Sequence, residues 1–283
     1  MANCPTCNGT GWVTYQKPSK SIFVPEFKNG KRTDVYIYDG QKECMIDYAS
    51  KCPDCNGGEA VIERTKQKAQ LPASYYDAEM KDFKWDIYRD DNDKPIDMQK
   101  LQLYVESFVN DFKEWQKEGI GLYIWSGTRG SGKTYLASCI CNTLIKKYGV
   151  KPKFVSAFDL INIEKGASDD KYASRYDKDP IAELCECDVL VIDDLGKQTS
   201  DNWTSNIVYR ITNERMDKKR ITIITSNTKY SNLPFDVKMT DRINKITQPI
   251  PLPEYRVRAK EANDQKRHLY ERLGLMRKRE GDG

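Results

Sequence analysis

A glycine-rich run at residues 127–134 contains the side chains best suited to chemistry in this chain. It reads Gly-Thr-Arg-Gly-Ser-Gly-Lys-Thr and fits the pattern G-x-x-x-x-G-K-[ST], in which backbone N–H groups surround phosphate oxygens. The pattern predicts that Lys133 reaches the β- and γ-phosphates of ATP and that the Thr134 hydroxyl binds Mg²⁺. The predicted nucleotide-binding residues of this loop are Gly127, Thr128, Arg129, Gly130, Ser131, Gly132, Lys133 and Thr134.

Two carboxylates, Asp193 and Asp194, follow the apolar run 189–192. Apolar residues that end in acids are typical of a buried strand whose carboxyl end faces a ligand. Asp193 is predicted to hold the water shell of Mg²⁺, and Asp194 to orient or polarise an attacking water. Asn227 follows the β-branched run 221–225 and is predicted to hydrogen-bond that water or the γ-phosphate. Taken alone, any of the three is also compatible with a simple turn.

These side chains require strands that end beside one another and helices that cover the sheet. The predicted strands are 122–125, 153–157, 189–192, 221–225 and 246–250. The predicted helices are 135–148, 158–165, 203–216 and 255–273. Because strands and helices alternate, we expect an α/β fold of three layers, with a parallel sheet between helices.

A polar region precedes this sheet. Residues 59–70 are predicted to form a hinge or a solvated helix, and the aspartate-rich stretch 82–97 an exposed loop. Aromatic and aliphatic residues then recur every three or four positions from Leu101 to Trp115, and the run ends at Gly119. This spacing predicts one amphipathic helix, which packs on its own domain or, alternatively, contacts a partner protein.

Two copies of C-P-x-C-N-G place four cysteines near the start of the chain, Cys4, Cys7, Cys52 and Cys55. Two such turns supply four thiolates, enough to close a tetrahedral structural Zn²⁺ site in a small β-rich module. Cys44 is a fifth candidate that could replace one of the four, and two redox dithiols are the metal-free alternative. The only histidine, His268, lies far from them in the sequence and has no predicted metal role.

The composition favours a polar protein without a membrane segment. Charged residues make up 31% of the 283 residues, and no apolar stretch approaches the roughly 20 residues of a membrane helix. We also find no signal-peptide anatomy at the first residues and therefore expect a cytoplasmic protein. The predicted domains are a zinc-binding module at 1–60, a linker with an amphipathic helix at 61–118, and a nucleotide-binding domain at 119–283.

Taken together, these motifs resemble the AAA+ ATPases of the DnaC/DnaI helicase-loader group, to which the transposition ATPase IstB is related. The resemblance covers roughly residues 71–255. Its carriers are the loop at 127–134, the acid pair after 189–192, the strand before Asn227, and Asp241-Arg242-Ile243. An amino-terminal cysteine module ahead of the ATPase resembles the DnaI arrangement and favours it over IstB.

The resemblance implies a role for each matching position. Asn227 becomes the sensor 1 residue, and Arg242 an arginine finger that reaches the ATP of a neighbouring subunit. Arg256 becomes the sensor 2 residue, with Arg258 as the alternative. Many members of the wider superfamily carry Glu where Asp194 stands here, which implies slow, regulated hydrolysis.

The implied function is that of a loader, which self-associates with ATP and delivers a hexameric replicative helicase onto single-stranded DNA. Two alternatives remain open. One is an IstB-like transposition helper that assembles on duplex DNA, and the other is an adaptor that binds ATP without turnover.

Overall fold

The computed structural model describes residues 6, 12–19, 21–28, 31–38, 44–51, 58–162, 179–196 and 202–273. The chain divides into two compact units, Met1–Arg64 and Thr65–Gly283. The three-part division into 1–60, 61–118 and 119–283 stays a prediction.

The amino-terminal unit contains two antiparallel strand pairs. Strand β1 (Trp12–Ser19) pairs with β4 (Cys44–Lys51), and β2 (Ser21–Lys28) pairs with β3 (Lys31–Tyr38). Trp12 lies opposite Lys51 at one end of the first pair, whereas Ser19 lies opposite Cys44 at the other end. The predicted zinc ligands Cys4, Cys7, Cys52 and Cys55 lie outside the described residues.

A parallel sheet of five strands forms the centre of the second unit. Its strands are β5 (Gly121–Trp125), β6 (Pro152–Ser156), β7 (Val189–Asp193), β8 (Ile221–Ser226) and β9 (Thr247–Pro251). They lie in the order β6-β7-β8-β5-β9, and each neighbouring pair is parallel. Because β8 lies between β5 and β7, the carboxyl ends of these three strands meet at one edge, where ligands of parallel sheets bind.

Helices cover both faces of the sheet. The helices of the described residues are α1 (Gly58–Ala69), α2 (Gln99–Asn110), α3 (Phe112–Glu118), α4 (Lys133–Tyr148), α5 (Pro180–Glu186), α6 (Asn202–Asp217), α7 (Val237–Ile246) and α8 (Val257–Arg272). Residues 157–162 are also helical. Helix α4 packs against β5, β7 and β8 and is itself contacted by α2, while α6 packs against β8 and α5. The three-layer α/β prediction is confirmed.

The predicted helix from Leu101 to Gly119 is two helices, because the chain turns at Asp111. This residue ends α2 and begins α3, with a backbone of φ −109° and ψ 29° that is not helical. The turn places Phe112 in the core, where its ring meets that of Phe108 edge to face at 5.9 Å. Gly119, at φ 72°, then ends α3 as its left-handed cap.

The predicted exposed loop at 82–97 is only partly exposed. Phe83 and Tyr88 are buried, and the structure places both rings against the glycine-rich loop, close to Gly132. Lys84 and Asp86 between them are exposed, as are most residues of 90–97, which explains the polar composition that favoured a loop. Among the described residues, no helix is long and apolar enough to cross a membrane.

Candidate nucleotide-binding site

The glycine-rich loop connects β5 to α4 at the ligand-binding edge of the sheet. Gly130 and Gly132 have positive φ angles of 79° and 98°, a conformation that L side chains rarely adopt. A Cβ atom at Gly132 would lie 3.2 Å from the Tyr88 hydroxyl oxygen. These glycines let the loop curl tightly before α4, so that its backbone N–H groups and the helix amino terminus suit a phosphate.

Lys133 lies at the first position of α4 with a buried side chain. Its ammonium donates hydrogen bonds to the carbonyl oxygens of Ser126 (3.3 Å) and Thr128 (2.9 Å) and to Ser131 Oγ (3.2 Å). Burial lowers the pKa of Lys133, although the carboxylates of the site oppose this shift. The charge therefore lies inside the loop, where an anionic phosphate group would compensate its desolvation.

Asp193 Oδ1 accepts two hydroxyl hydrogen bonds at the carboxyl end of β7. Thr134 Oγ1 donates one at 2.9 Å, and Thr225 Oγ1 donates the other at 2.6 Å. Burial raises the pKa of Asp193, while the two hydroxyls favour its ionised form. The hydroxyl and the carboxylate are oxygen donors of the kind that Mg²⁺ prefers, and a cation would relieve the cost of burying this charge. The residues therefore fit Mg²⁺.

Asp194 and Asn227 face each other beside this cluster. Asn227 Nδ2 donates to Asp194 Oδ1 at 2.6 Å, and the Asp194 backbone N–H donates to Thr225 Oγ1 at 2.9 Å. Asp194 has a φ of 56°, an uncommon left-handed conformation for a residue other than glycine. Its backbone thus turns the carboxylate toward the end of β8, and the two predicted water-orienting groups form one hydrogen-bonded pair.

A cavity of about 570 Å³ contains most of the predicted residues. Its lining includes Arg129, Gly130, Ser131, Gly132, Lys133, Thr134, Asp193, Asp194 and Asn227, and also Ser74, Tyr75, Tyr135, Thr225, Val257, Arg258 and Glu261. Gly127, Thr128 and Arg256 line a neighbouring cavity of about 680 Å³, which shares Arg129, Gly130 and Arg258 with the first. Each of the eight predicted loop residues, 127–134, therefore lines one or both of these adjoining cavities.

The two candidate sensor 2 arginines differ in position. Arg258 lines both cavities, and its backbone N–H donates to the Gly130 carbonyl at 3.1 Å. Arg256 precedes α8 and lines the neighbouring cavity only. Arg258, the alternative assignment, therefore lines the cavity that contains Lys133 and Asp193, whereas Arg256 does not.

Arg242, on α7, does not line either cavity. Its guanidinium stacks on the ring of Tyr209, with 4.4 Å between Cζ and the ring centroid. Its Nη1 atom is buried and has no hydrogen-bond partner. Burying a guanidinium nitrogen without an acceptor costs free energy, so an acceptor placed beside Arg242 Nη1 would be stabilising.

Three residues that hold the site were not predicted. Thr225 connects Asp193 to Asp194, Tyr88 donates a 2.9 Å hydrogen bond to the Ser131 carbonyl, and Glu254 accepts one at 2.8 Å from the Gly127 N–H. Thr225 carries a usable signal, because a polar residue stands near the carboxyl end of a strand beside the Asp193 strand. No comparable signal exists for Tyr88 and Glu254, which contact the loop across long stretches of chain.

Cys139, Cys141 and Cys185 are buried, whereas Cys187 is half-buried. Burial raises the pKa of the Cys139 and Cys141 thiols to about 12, which keeps them protonated and unreactive. Within the described ranges, no group of three or more His, Cys, Asp or Glu side chains is placed to hold a metal ion. The predicted zinc ligands are not part of those ranges, so the zinc site stays a prediction.

The fold and the site together define a P-loop ATPase of the AAA+ class, in which a parallel sheet presents a phosphate-binding loop and a strand-end acid pair. A family model described as "IstB-like ATP binding protein" matches residues 64–244, and the chain belongs to this family.

Curated relatives agree with the predicted resemblance. The chain is 28% identical over 136 residues to "Replicative helicase loader DnaC" of Escherichia coli (strain K12), which covers 48% of this chain and 51% of that protein. It is 32% identical over 126 residues to the protein of the same name from Buchnera aphidicola subsp. Schizaphis graminum, covering 44% and 50%. The chain thus spans about half the length of these relatives.

Solved structures agree on the fold. "Crystal Structure of the DnaI" is 25% identical with a TM-score of 0.51, covering 67% of this chain and 97% of that one. "Crystal structure of the DnaC helicase loader" is 22% identical with a TM-score of 0.52, covering 64% and 100%. The resemblance to the DnaC/DnaI group is confirmed.

Proposed function

We propose that this protein is an ATP-dependent loader that places a hexameric replicative helicase onto single-stranded DNA in the cytoplasm. The observation that carries the proposal is the similarity to replicative helicase loaders across 136 residues. Lys133, Thr134 and Asp193 converge at the phosphate-binding loop in the same region. ATP binding and turnover would supply the control of self-association and release.

For turnover, each side chain has one task. Lys133 would contact the β- and γ-phosphates, and Thr134 and Asp193 would hold Mg²⁺, which when bound neutralises charge on the phosphates. Asp194 would orient the attacking water, with Asn227 holding that carboxylate through their hydrogen bond. Since Asp has a shorter side chain than Glu, we expect slow hydrolysis that depends on assembly.

Sensor 2 would be Arg258 rather than Arg256. The support is that Arg258 lines the cavity with the loop and lies in direct backbone contact with Gly130. Arg258→Ala should therefore weaken nucleotide binding more than Arg256→Ala. Equal losses, or a larger loss for Arg256→Ala, would return the role to Arg256.

Arg242 would act in trans as an arginine finger between self-associated subunits. This role is supported by the absence of Arg242 from the lining of the two cavities of its own subunit. Such fingers typically contribute a factor of about 10³–10⁵ in rate. Arg242→Ala should lower turnover only in the oligomer, and added Lys133→Ala protein, which keeps its finger, should partly restore it. No restoration would contradict action in trans.

A structural Zn²⁺ held by Cys4, Cys7, Cys52 and Cys55 would organise the amino-terminal unit as the helicase grip. The strand register supports this set, because Trp12 and Lys51 are partners and the chain continues from them toward Cys7 and Cys52. Cys44 begins β4 at the opposite end, roughly 24 Å away at about 3.4 Å per residue. The register thus favours these four cysteines over any set that includes Cys44.

The deciding experiment mixes the purified chain with the replicative helicase of the same organism. Light scattering would follow complex formation with ATP, without ATP and after zinc chelation, and a strand-displacement assay would follow loading on single-stranded DNA. A complex that is lost on chelation, with loading that is lost in Lys133→Ala, is the expected result. The absence of any complex under all conditions would overturn the proposal.

A second candidate is a transposition helper that assembles on duplex DNA. The observation in its favour is the matching family model, which is described as IstB-like. ATP turnover and assembly that require duplex DNA, and not the helicase, would favour this function. Turnover unaffected by Lys133→Ala in either setting would instead indicate an adaptor.

A further inference from the structure

Glu254 contacts the glycine-rich loop directly, although it lies far from the loop in the sequence. Its Oε1 accepts a hydrogen bond from the Gly127 N–H at 2.8 Å, and its Oε2 accepts one from the Thr128 hydroxyl. A Cβ atom at Gly127 would lie 2.8 Å from Glu254 Oε1, and the three atoms nearest to it all belong to Glu254. The carboxylate therefore rests on the loop backbone at a position where a larger side chain would have to displace it.

The same stretch of chain holds the loop on both sides of this contact. Before it, Ser126 Oγ donates to the Pro253 carbonyl at 3.2 Å. After it, the Arg258 N–H donates to the Gly130 carbonyl at 3.1 Å. The first half of the loop is thus hydrogen-bonded to the connection between β9 and α8 and to the first turn of α8, and Glu254 accepts two of these bonds.

Thr128 is held from two directions. Its carbonyl oxygen accepts from Lys133 Nζ at 2.9 Å, while its hydroxyl donates to Glu254. The position of the loop lysine and the position of Glu254 are therefore linked through one residue. Helix α8, which follows Glu254, presents Arg258 and Glu261 to the cavity that contains Lys133.

We propose that Glu254 is a positioning residue for nucleotide binding, which holds the Gly127–Thr128 turn and couples the loop to α8. A carboxylate accepts two hydrogen bonds at once, so it fixes the position of the Gly127–Thr128 turn relative to the chain that leads into α8. Its negative charge would repel phosphate, so its benefit to binding is geometric. The inference depends on the nucleotide site alone, and helicase loading can fail without affecting it.

The test compares Glu254→Ala with Glu254→Gln by calorimetric titration with ATP and ADP in the full chain. Glutamine keeps an acceptor for the Gly127 N–H and a donor for the Thr128 oxygen, whereas alanine keeps neither. We expect alanine to weaken binding by about 5- to 30-fold and glutamine to leave it within about 2-fold. Asp264→Ala removes a half-exposed carboxylate further along α8, which pairs with Arg267 and does not touch the loop, and as the control it should leave binding unchanged.

Gly127→Ala supplies a second, independent readout. Its added methyl group would displace the Glu254 carboxylate, so it should weaken binding in the wild type and have little further effect beside Glu254→Ala. Equal losses in the Ala and Gln variants, or additive losses of Gly127→Ala and Glu254→Ala, would overturn the positioning role. A wild-type chain that binds no ATP would contradict the nucleotide site itself, and a chain that binds ATP but loads no helicase would contradict only the loader.

Discussion

Arg215 provides the sharpest stability prediction, because its guanidinium is fully buried and pairs with no carboxylate among the described residues. It donates instead to backbone carbonyls at the end of α5 and the start of β8, and to the Thr222 hydroxyl. The carbonyls are those of Leu184 (2.7 Å), Cys185 (3.2 Å), Cys187 (2.9 Å) and Ile221. One side chain thus satisfies the polar groups that join α5, β7 and β8 at the edge of the sheet opposite the nucleotide site.

Arg215→Met keeps most of the volume and removes every donor. If at least two buried carbonyls lose their only strong donor, at about 1–3 kcal/mol each, the cost is about 2–6 kcal/mol. Part of this is offset, because methionine does not carry the desolvation cost of a buried charge, the same cost that lowers the pKa of Arg215. We therefore expect a net loss of about 2–4 kcal/mol, or a Tm lower by about 4–16 °C for a unit of this size.

Differential scanning fluorimetry and urea titration would measure this loss. Arg210→Met on the same helix is the control, since Arg210 is half-exposed and its ion pairs with Asp179 and Glu214 should contribute about 1 kcal/mol or less. ATP affinity per folded molecule should be unchanged in both variants. A Tm decrease for Arg215→Met no larger than for Arg210→Met would refute the reasoning.

Three further predictions concern the nucleotide site. Asp194→Asn should keep ATP binding and abolish turnover, measured by titration and phosphate release. A loss of binding would contradict the proposed role of Asp194 in orienting water. Thr225→Val removes the donor to Asp193 and the acceptor for the Asp194 N–H, so turnover should fall by about 10-fold or more, with folding retained in circular dichroism. Burial lowers the pKa of Lys133 below its ordinary 10.5, so as pH rises ATP affinity should decline at a lower pH than for an exposed lysine. Between the lowered pKa and 10.5 the unfolded chain binds the proton that the folded chain has lost, so the contribution of this group to the free energy of unfolding rises with pH. Lys133→Arg, which stays charged, should not show that decline if it binds, and an identical pH profile would contradict the assignment.

Much of the fold could be predicted because its signals are local. Each predicted strand of the ATPase unit overlaps an observed one, since buried parallel strands read as continuous apolar runs. The break at Asp111 was missed because Phe112 continues the apolar spacing on both sides of the turn. Helices α5 and α7 were missed as well. Each begins with an aspartate side chain that caps it, Asp179 and Asp236, a signal that was available.

The residues of the site likewise fall into those that a local motif predicts and those that only long-range contacts bring to the loop. The loop, Asp193, Asp194 and Asn227 follow motifs of adjacent residues, and the structure brings them together. Tyr88 and Glu254 contact the loop across 43 and 127 positions, and no periodicity in the sequence indicates such pairs. Arg242 and Tyr209 form their stack in the same long-range manner.

The predicted domain boundary at 118/119 can be tested, because residues 71–98, which lie before it, contact the glycine-rich loop and α4. Tyr88 donates to Ser131 from a buried position, Phe83 stacks on Tyr135 at 6.0 Å, and Asn142 of α4 donates to the carbonyls of Tyr75 and Ala78. Deleting this segment would expose the face of α4 that it covers and leave the Ser131 carbonyl without its donor.

A fragment of residues 119–283 should therefore be unstable and bind ATP at least about 10-fold more weakly than a fragment of 58–283, which retains the segment and all of α1. Tyr88→Phe in the full chain isolates the hydroxyl and should show a smaller loss, while Tyr104→Phe, on the exposed surface of α2, should show none. If 119–283 folds and binds ATP as tightly as 58–283, the domain begins at 119 and the contacts of 71–98 are dispensable. If it does not, the nucleotide-binding unit begins before residue 119, and a loss of binding in Tyr88→Phe shows that residues 71–98 act on the loop that holds Lys133 through the Tyr88 hydroxyl.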